Sequence, residues 1–323
     1  LEVLPVFVDK IREIREIIIS NIVLLGQTPA PTFHEKQRAE HLVERMAEFQ
    51  VDECAIDDFG NPMAVIRGTS PTTPPIFVVA HLDTFSEVKN DLHYEVTDKI
   101  ISGIGVSDNS AAVGVLVSLP EIFKRLELCF ASDIVLVAPI LSLGRGNLKG
   151  IRRLLGHWPT PIRGAICLES IDLGRLNYYS YGMIRSEISC SIAVDDHERL
   201  RHKPNAILVI NDVINAILGL RLPQKPRTQI VIGRISGGFN HGAIAYDANI
   251  GFEIRSDSDD MVKDLYAEIR DIVEGVNKTY DVEVKLCRIS NLNATRLNHN
   301  HPLVKCASRI LTRLGVEIFS VPS

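Results

Sequence analysis

The chain has 323 residues, of which 46% are hydrophobic and 23% are charged, as expected for a globular protein with a substantial core. A formal net charge of −5 and a pI near 6.1 exclude the basic footprint of a nucleic-acid-binding protein. No apolar run approaches the roughly 18 residues of a membrane span. The first ten residues lack the order of a signal peptide, and the six cysteines form no Cys-x-x-Cys pair. We therefore expect a cytoplasmic protein, with two domains at this length.

Helices and short apolar strands alternate through the first half of the chain, which favours a sheet flanked by helices. Residues 86–102 are polar and predict a hairpin, and Pro120 is expected to kink or break the helix that contains it. The predicted helices are 7–26, 34–49, 111–126 and 148–155. The predicted strands are 51–56, 63–67, 76–80, 134–141 and 165–168, the last three of them fully buried.

The pattern changes near residue 181. Strands are predicted at 183–194, 228–235, 248–255 and 281–288, with helices at 204–218 and 259–276. The order βαββαβ is that of a ferredoxin-like domain. A helix at 303–314 and the start of a strand at Val316 follow. The predicted architecture is an α/β domain with a mixed sheet, formed by residues 1–180 and 294–323, with a ferredoxin-like domain of residues 181–293 inserted in it.

Three buried strands or glycine-rich turns each end on a candidate ligand: His81, Asp108 and Glu169. Ligands bind at the carboxyl ends of strands in open α/β sheets, and imidazole with carboxylates suits zinc or a similar divalent ion. Asp83 would then hold the His81 tautomer. Spacing alone leaves other interpretations open, because a carboxylate before a helix such as Asp108 also suits an N-cap, and a lone histidine is often simply hydrogen-bonded.

Several motifs in order along the chain carry a resemblance to a known family. They are Gly60–Asn61, Ala80–Thr84, Gly103–Ala112, Gly144–Gly150, Leu168–Glu169, Pro204–Ile207, Gly233–Gly238, Ile254–Ser256 and His301–Val304. With them the sequence resembles the zinc-dependent aminoacylase and exopeptidase family. That family includes acetylornithine deacetylase, succinyl-diaminopimelate desuccinylase, peptidase T-like tripeptidases, glutamate carboxypeptidases and carnosinases.

The resemblance implies a hydrolase of small peptides or N-acyl amino acids that works as a homodimer through the 181–293 lid domain. It implies two zinc ions, or manganese or cobalt in their place. His81 would hold one ion, Asp108 would bridge both, and Glu169 would complete the first site. The Asp108–Asn109 peptide bond would be cis, with Asn109 beside the substrate.

Two further positions match substrate-binding residues of the family. Arg255 matches an arginine that grips a substrate carboxylate, although a surface charge at a strand end is the simpler interpretation. His197 lies near the position of a lid histidine that stabilises a developing oxyanion. A solvated loop histidine explains His197 equally well.

The chain departs from the family where relatives carry two adjacent glutamates, because Ser142 and Leu143 stand there. A serine cannot act as a general base near neutral pH, and leucine offers no lone pair to a metal. The family's last histidine ligand is also missing, so we expect the carboxyl end to be incomplete. Three interpretations follow: a hydrolase with a divergent site, a non-hydrolytic binder of peptides or acylated amino acids, and a dimeric scaffold. The first is favoured because His81, Asp83, Asp108 and Glu169 are all present.

Overall fold

The computed structural model describes residues 2–85, 92–170, 172–193 and 204–321. The chain forms two compact units. Unit 1 comprises Leu1–Arg175 and Lys305–Phe319, and unit 2 comprises Leu176–Val304 and Ser320–Ser323. The predicted domain boundaries at 181 and 293 fall inside unit 2.

Unit 1 contains a five-stranded mixed sheet in the order β1-β2-β6-β3-β7, and a separate β4-β5 hairpin. The strands β2 and β6 are antiparallel, whereas β3 runs parallel to both of its neighbours, β6 and β7. The strands are β1 (Glu53–Ile56), β2 (Pro62–Ile66), β3 (Ile76–Val79), β4 (Glu95–Val96), β5 (Ile101–Ser102), β6 (Ile134–Val137) and β7 (Gly164–Cys167). This arrangement confirms the mixed sheet flanked by helices.

Helices α2 (Arg15–Gly26), α3 (Lys36–Glu48), α4 (Ala111–Arg125) and α5 (Lys149–His157) pack with the sheet residues and bury them. Helix α1 (Leu4–Glu13) packs on α2 and α4. Helix α8 (Pro302–Arg313) follows near the end of the chain and begins within unit 2. Leu136 of β6 and Phe77 of β3 are 0% and 1% exposed, so the apolar runs that predicted these strands do lie in the core.

Three expectations for unit 1 are wrong in detail, and a fourth is wrong in part. Residues 7–26 form two helices, because the chain turns at Ile14, whose side chain is buried against α4. Helix α4 is not broken at Pro120, since its buried residues on both sides of the proline hold it to the core, and the predicted kink stays a prediction. Strand β6 ends at Val137, two residues before Pro139. Instead of a strand at Val316, the described residues have only an isolated bridge between Arg175 and Phe319.

The prediction that 165–168 is a fully buried strand is also wrong. Strand β7 lies at the edge of the sheet, and Ala165, Ile166 and Cys167 are exposed. A short run of apolar residues predicts a strand, but it does not distinguish a central strand from one at the edge of the sheet. Ile166 is 45% exposed, which leaves an apolar side chain on this open edge.

Unit 2 contains a four-stranded antiparallel sheet in the order β10-β11-β9-β12, with two helices packed on one face. This is the ferredoxin-like order that the sequence predicted. Its strands are β9 (Gly182–Ser191), β10 (Thr228–Gly237), β11 (Asp247–Ser256) and β12 (Glu283–Leu292), its helices are α6 (Ala206–Leu218) and α7 (Asp259–Tyr280), and β8 (Tyr179–Ser180) pairs with β13 (Thr295–Arg296). In β9 the buried and half-buried residues alternate, because one face packs on the helices and the other does not.

None of the helices in the described ranges is long and apolar enough to span a bilayer.

Candidate metal centre

Three side chains converge at one edge of the unit 1 sheet: His81, Asp108 and Glu169. The His81 Nε2 atom lies 2.9 Å from Asp108 Oδ1 and 3.7 Å from Glu169 Oε2. The three potential ligand atoms all lie within 4.8 Å of one another. The His81 side chain is 11% exposed, whereas those of Asp108 and Glu169 are 47% and 44% exposed. The structure therefore brings together the three residues that the sequence predicted as ligands, buried on one side and open on the other.

Strand geometry explains why residues so far apart in sequence meet. His81 follows β3 by two residues and Glu169 follows β7 by two residues. Because β3 and β7 are parallel neighbours, their carboxyl ends lie at the same edge. Asp108 belongs to a short irregular segment, Val106–Ser110, directly before α4. The cap of α4 is Ser110, so Asp108 is not its N-cap and its carboxylate is directed to His81 instead.

The donor set fits a divalent cation. Two ligand atoms at ~2.1 Å from a tetrahedral zinc ion lie roughly 3.4 Å apart, and the distances of 2.9 and 3.7 Å bracket that value. Burial alone would lower the pKa of His81, but contact with Asp108 and Asp83 and the negative charge of Glu169 raise it to about 10. Burial and the charge of Asp108 raise the pKa of Glu169. The site therefore has a negative potential that attracts a cation.

Asp83 lies behind His81 and is completely buried. Its carboxylate accepts hydrogen bonds from the amides of Ser142 and Leu143 at 3.0 and 2.8 Å, and from the Thr32 hydroxyl at 2.8 Å. The nearer acceptor for His81 Nδ1 is the Asp83 main-chain oxygen at 2.9 Å, whereas the carboxylate is 3.6 Å away. The main chain of Asp83 therefore fixes the imidazole orientation, and its side chain adds negative charge and anchors the 142–143 loop.

Asn109 is fully buried and holds the chain on both sides of Glu169. Its Nδ2 donates to the Leu168 carbonyl at 3.1 Å, and its Oδ1 accepts from the Ser170 amide at 3.3 Å. The Asp108–Asn109 peptide bond is cis, as the resemblance implied. In this position Asn109 orients Glu169, and its role beside a substrate stays a prediction.

Ser142 and Leu143, where the sequence comparison expected the family's glutamate pair, contact the rest of unit 1 through their main-chain amides. The Ser142 and Leu143 amides both donate to Asp83, and Ser142 Oγ donates to the Pro139 carbonyl at 3.3 Å. The loop returns to α5 through Asn147 and Leu148, which both have positive φ. Neither side chain of the pair supplies a base or a metal ligand.

The other two predicted site residues are Arg255, which belongs to unit 2, and His197, which lies outside the described residues. Arg255 Nε donates to Glu253 Oε2 at 2.8 Å, and Arg185 Nε donates to Glu253 Oε1 at 2.6 Å. Burial would raise the pKa of Glu253, but the two arginines lower it. His197 lies outside the described residues, so its prediction is untested.

Sequence reasoning missed the residues that support the site from the amino end of α3. Thr32, Glu35 and Arg38 contact Asp83, Leu141 and Leu82 respectively. The segment Thr28–Phe33 signalled only a helix break, and α3 signalled only an amphipathic helix. The one available signal was the cluster of polar residues at the start of a helix that follows a proline-rich turn.

Comparison with known proteins agrees with this architecture. Residues 199–281 match the sequence profile of the peptidase dimerisation domain of M20 proteins. The structure is similar to the dipeptidase Dug1p from Saccharomyces cerevisiae, with a TM-score of 0.78 and 12% identity over 98% of this chain and 86% of that one. It is similar to human carnosine dipeptidase 1, with a TM-score of 0.75 and 11% identity over 99% and 87%.

A third similar structure is a dinuclear metal-binding peptidase of the M20 family from Bacillus subtilis. Its TM-score is 0.57, with 16% identity over 95% of this chain and 82% of that one. No curated protein sequence matches the chain. The chain thus contains a peptidase dimerisation domain and has the fold of M20 peptidases, which confirms its resemblance to the zinc-dependent aminoacylase and exopeptidase family.

Proposed function

We propose that the protein is a metal-dependent hydrolase of peptide or N-acyl amino-acid amide bonds. The observation that carries the proposal is the His81, Asp108 and Glu169 group, whose ligand atoms lie within 4.8 Å of one another in a fold shared with dipeptidases. A divalent ion such as zinc bound there would supply Lewis-acid activation of water and of the substrate carbonyl.

The residues of the chain would divide the remaining work. His81 Nε2, Asp108 Oδ1 and Glu169 Oε2 would hold the ion, and the Asp83 main-chain oxygen would keep Nδ1 of His81 protonated so that Nε2 is free to ligate. Asn109 would keep Glu169 directed at the site. Arg255 would bind the substrate carboxylate, and the Glu253 contact would hold its guanidinium ready.

The first test is the metal content of chelator-free protein by elemental analysis, together with hydrolysis of a panel of dipeptides and N-acyl amino acids. We expect about one tightly held zinc, because the described residues contain a single group of this kind. The variants H81A and D108A should lose the metal and the activity together. The exposed Asp58 provides a matched control, and D58A should keep both. Absence of metal after zinc is added back would overturn the proposal.

A second candidate function is binding without hydrolysis, and the observation that favours it is the Ser142-Leu143 pair. Loss of a general base typically lowers a rate by ~10²–10⁴. If the site is a binder, the double variant S142E/L143E should raise the metal content and convert an inactive protein into a measurable hydrolase. A wild-type protein that is already active, and is not improved by the double variant, would exclude the binder.

We also propose that unit 2 forms the contact of a homodimer. The matched dimerisation profile supports this, and so do apolar side chains exposed on β10 and after it: Val231, Ile235 and Phe239 are 40%, 64% and 99% exposed. Ile207 at the start of α6 is 43% exposed and adjoins Gly238, where a Cβ would lie 3.1 Å from its Cδ1. An open edge strand with an adjacent apolar patch suits a symmetric contact.

A further inference from the structure

Helix α3 carries an arginine that is buried beside the metal centre without touching it. Arg38 is 1% exposed. Its guanidinium donates to three main-chain carbonyls: Nε to Thr28 at 2.8 Å, Nη1 to Leu82 at 3.0 Å and Nη2 to Gly26 at 3.1 Å. In the described part of the chain, no carboxylate forms a hydrogen bond with it. The guanidinium carries five N–H donors in a rigid planar fork, which suits three carbonyls that lie in different directions.

Burial of this cation is unfavourable, so its contacts must compensate for it. Burial lowers the pKa of Arg38 to about 10, while electrostatic interactions with Tyr94 and with the Asp83 carboxylate act to raise it. Removal of the guanidinium would take this donor away from three carbonyls, for which the described residues offer no other hydrogen-bond donor. The unfavourable burial of Arg38 is therefore located next to the segment that joins β3 to the candidate ligand His81.

The contact with Leu82 fixes the tripeptide His81–Asp83, on which the metal centre depends. Leu82 stands between His81 and Asp83, and its amide donates to the Pro139 carbonyl at 2.9 Å. With its carbonyl held by Arg38, both peptide planes of this residue are fixed. The Asp83 main-chain oxygen, 2.9 Å from His81 Nδ1, belongs to the next peptide plane. A shift of the Leu82–Asp83 peptide would move the Asp83 Cα atom and, with it, that oxygen away from the imidazole.

The same turn of helix reaches the loop on the other side of Asp83. Glu35 is 3% exposed, and its Oε1 accepts from the Leu141 amide at 2.9 Å. Leu141 precedes the two amides that bind the Asp83 carboxylate. The first turn of α3 therefore holds both segments that determine where Asp83 and His81 lie.

We propose that Arg38 is a positioning residue for the metal centre, which fixes the His81–Asp83 segment through the Leu82 carbonyl and so sets the affinity for the ion. The proposal rests on the metal site of the proposed function. Residues that orient a metal ligand typically change metal affinity by ~10–100-fold when replaced. We expect an effect of about tenfold for Arg38, which acts one residue away from the ligand.

The test compares R38K and R38Q with R45Q. Arg45 lies on the same helix, its side chain is 24% exposed, and its Nε donates to Asn21 Oδ1 at 2.7 Å, away from the centre. Zinc affinity of the full chain is measured by competition with a zinc-binding dye, the coordination geometry by the visible spectrum of the cobalt-loaded protein, and folding by circular dichroism. R38K keeps the charge and decides the outcome if R38Q does not fold.

We expect R38K to weaken zinc binding about tenfold and to alter the cobalt spectrum, while R45Q leaves both unchanged. If wild-type protein binds zinc and R38K binds it equally well, the positioning role is wrong and the proposed function stands. If R38K and R45Q weaken binding alike, Arg38 contributes only general stability and the inference fails. If wild-type protein binds no zinc, the proposed function fails and the inference falls with it.

Discussion

Replacement of Asp83 by asparagine removes a negative charge from a completely buried position while it keeps the side-chain shape. The carboxylate accepts from the Ser142 and Leu143 amides and from the Thr32 hydroxyl. A hydrogen bond to a charged acceptor contributes ~1.5–3 kcal/mol, against ~0.5–1.5 kcal/mol for a neutral pair. Each of the three bonds should therefore lose roughly 1 kcal/mol, and D83N should lower the free energy of unfolding by about 3 kcal/mol near neutral pH.

The difference should depend on pH with a definite sign. Burial alone would raise the pKa of Asp83, but His81, the Leu143 amide and the Thr32 hydroxyl lower it below its ordinary value of 3.8. A group with a depressed pKa in the folded state stabilises above the pKa of the unfolded chain and loses that contribution as the pH falls through the folded value. The gap between wild type and D83N should be largest between about pH 5 and 6.5 and shrink below 3.8. It should also shrink as the pH rises from 6.5 towards 10, because Asp83 contributes to the raised pKa of His81.

The assay is urea unfolding in the presence of a chelator, so that metal binding does not contribute. The chain has one tryptophan, Trp158, which packs edge-on against Phe77 at 4.8 Å between ring centroids, so its fluorescence reports unit 1. The surface variant D9N, at a side chain that is 73% exposed, should leave the midpoint unchanged. Equal midpoints for D83N and wild type at neutral pH would refute the contribution of the buried carboxylate.

Three other predictions test packing, helix propensity and assembly. At Gly114 of α4 a Cβ would lie 2.4 Å from Ile22 Cγ1 of α2, so G114A should destabilise by at least ~1–3 kcal/mol. G275A, at an exposed site in α7 with nothing within 4 Å, should stabilise by about 1 kcal/mol. Thermal unfolding followed by circular dichroism measures both, and destabilisation by G275A would contradict the argument. In sedimentation velocity, I235K should convert a dimer to monomers without loss of folding, because it places a charge on the exposed edge of β10, and an unchanged dimer would exclude that contact.

The elements whose apolar residues recur with a clear period along the sequence were predictable. The alternation in β9 and β11 and the amphipathic α7 led to the ferredoxin-like order, because each pattern records which face of an element is buried. The ends of β3 and β7 led to His81 and Glu169, because parallel strands share a carboxyl edge.

The contacts between elements could not be predicted from local patterns. Arg38 occupies a position that local pattern alone assigns to the polar side of α3, and only the return of the chain at Gly26–Thr28 and Leu82 makes it a buried donor. Asn109 in the same way depends on where β7 ends. The exposed edge of β7 was missed because a short apolar run does not record how many neighbours the strand has.

The two arginines that share Glu253 in unit 2 should make the binding of an anionic ligand depend on ionic strength. Arg185 and Arg255 both donate to Glu253, so the formal charges of these three side chains sum to +1 at neutral pH. If Arg255, whose side chain is 40% exposed, binds an anionic ligand as proposed, Arg185 still pairs with Glu253. Affinity for an anionic ligand at this point should therefore weaken as salt rises and the Debye length falls from ~10 Å at 0.1 M to ~3 Å at 1 M.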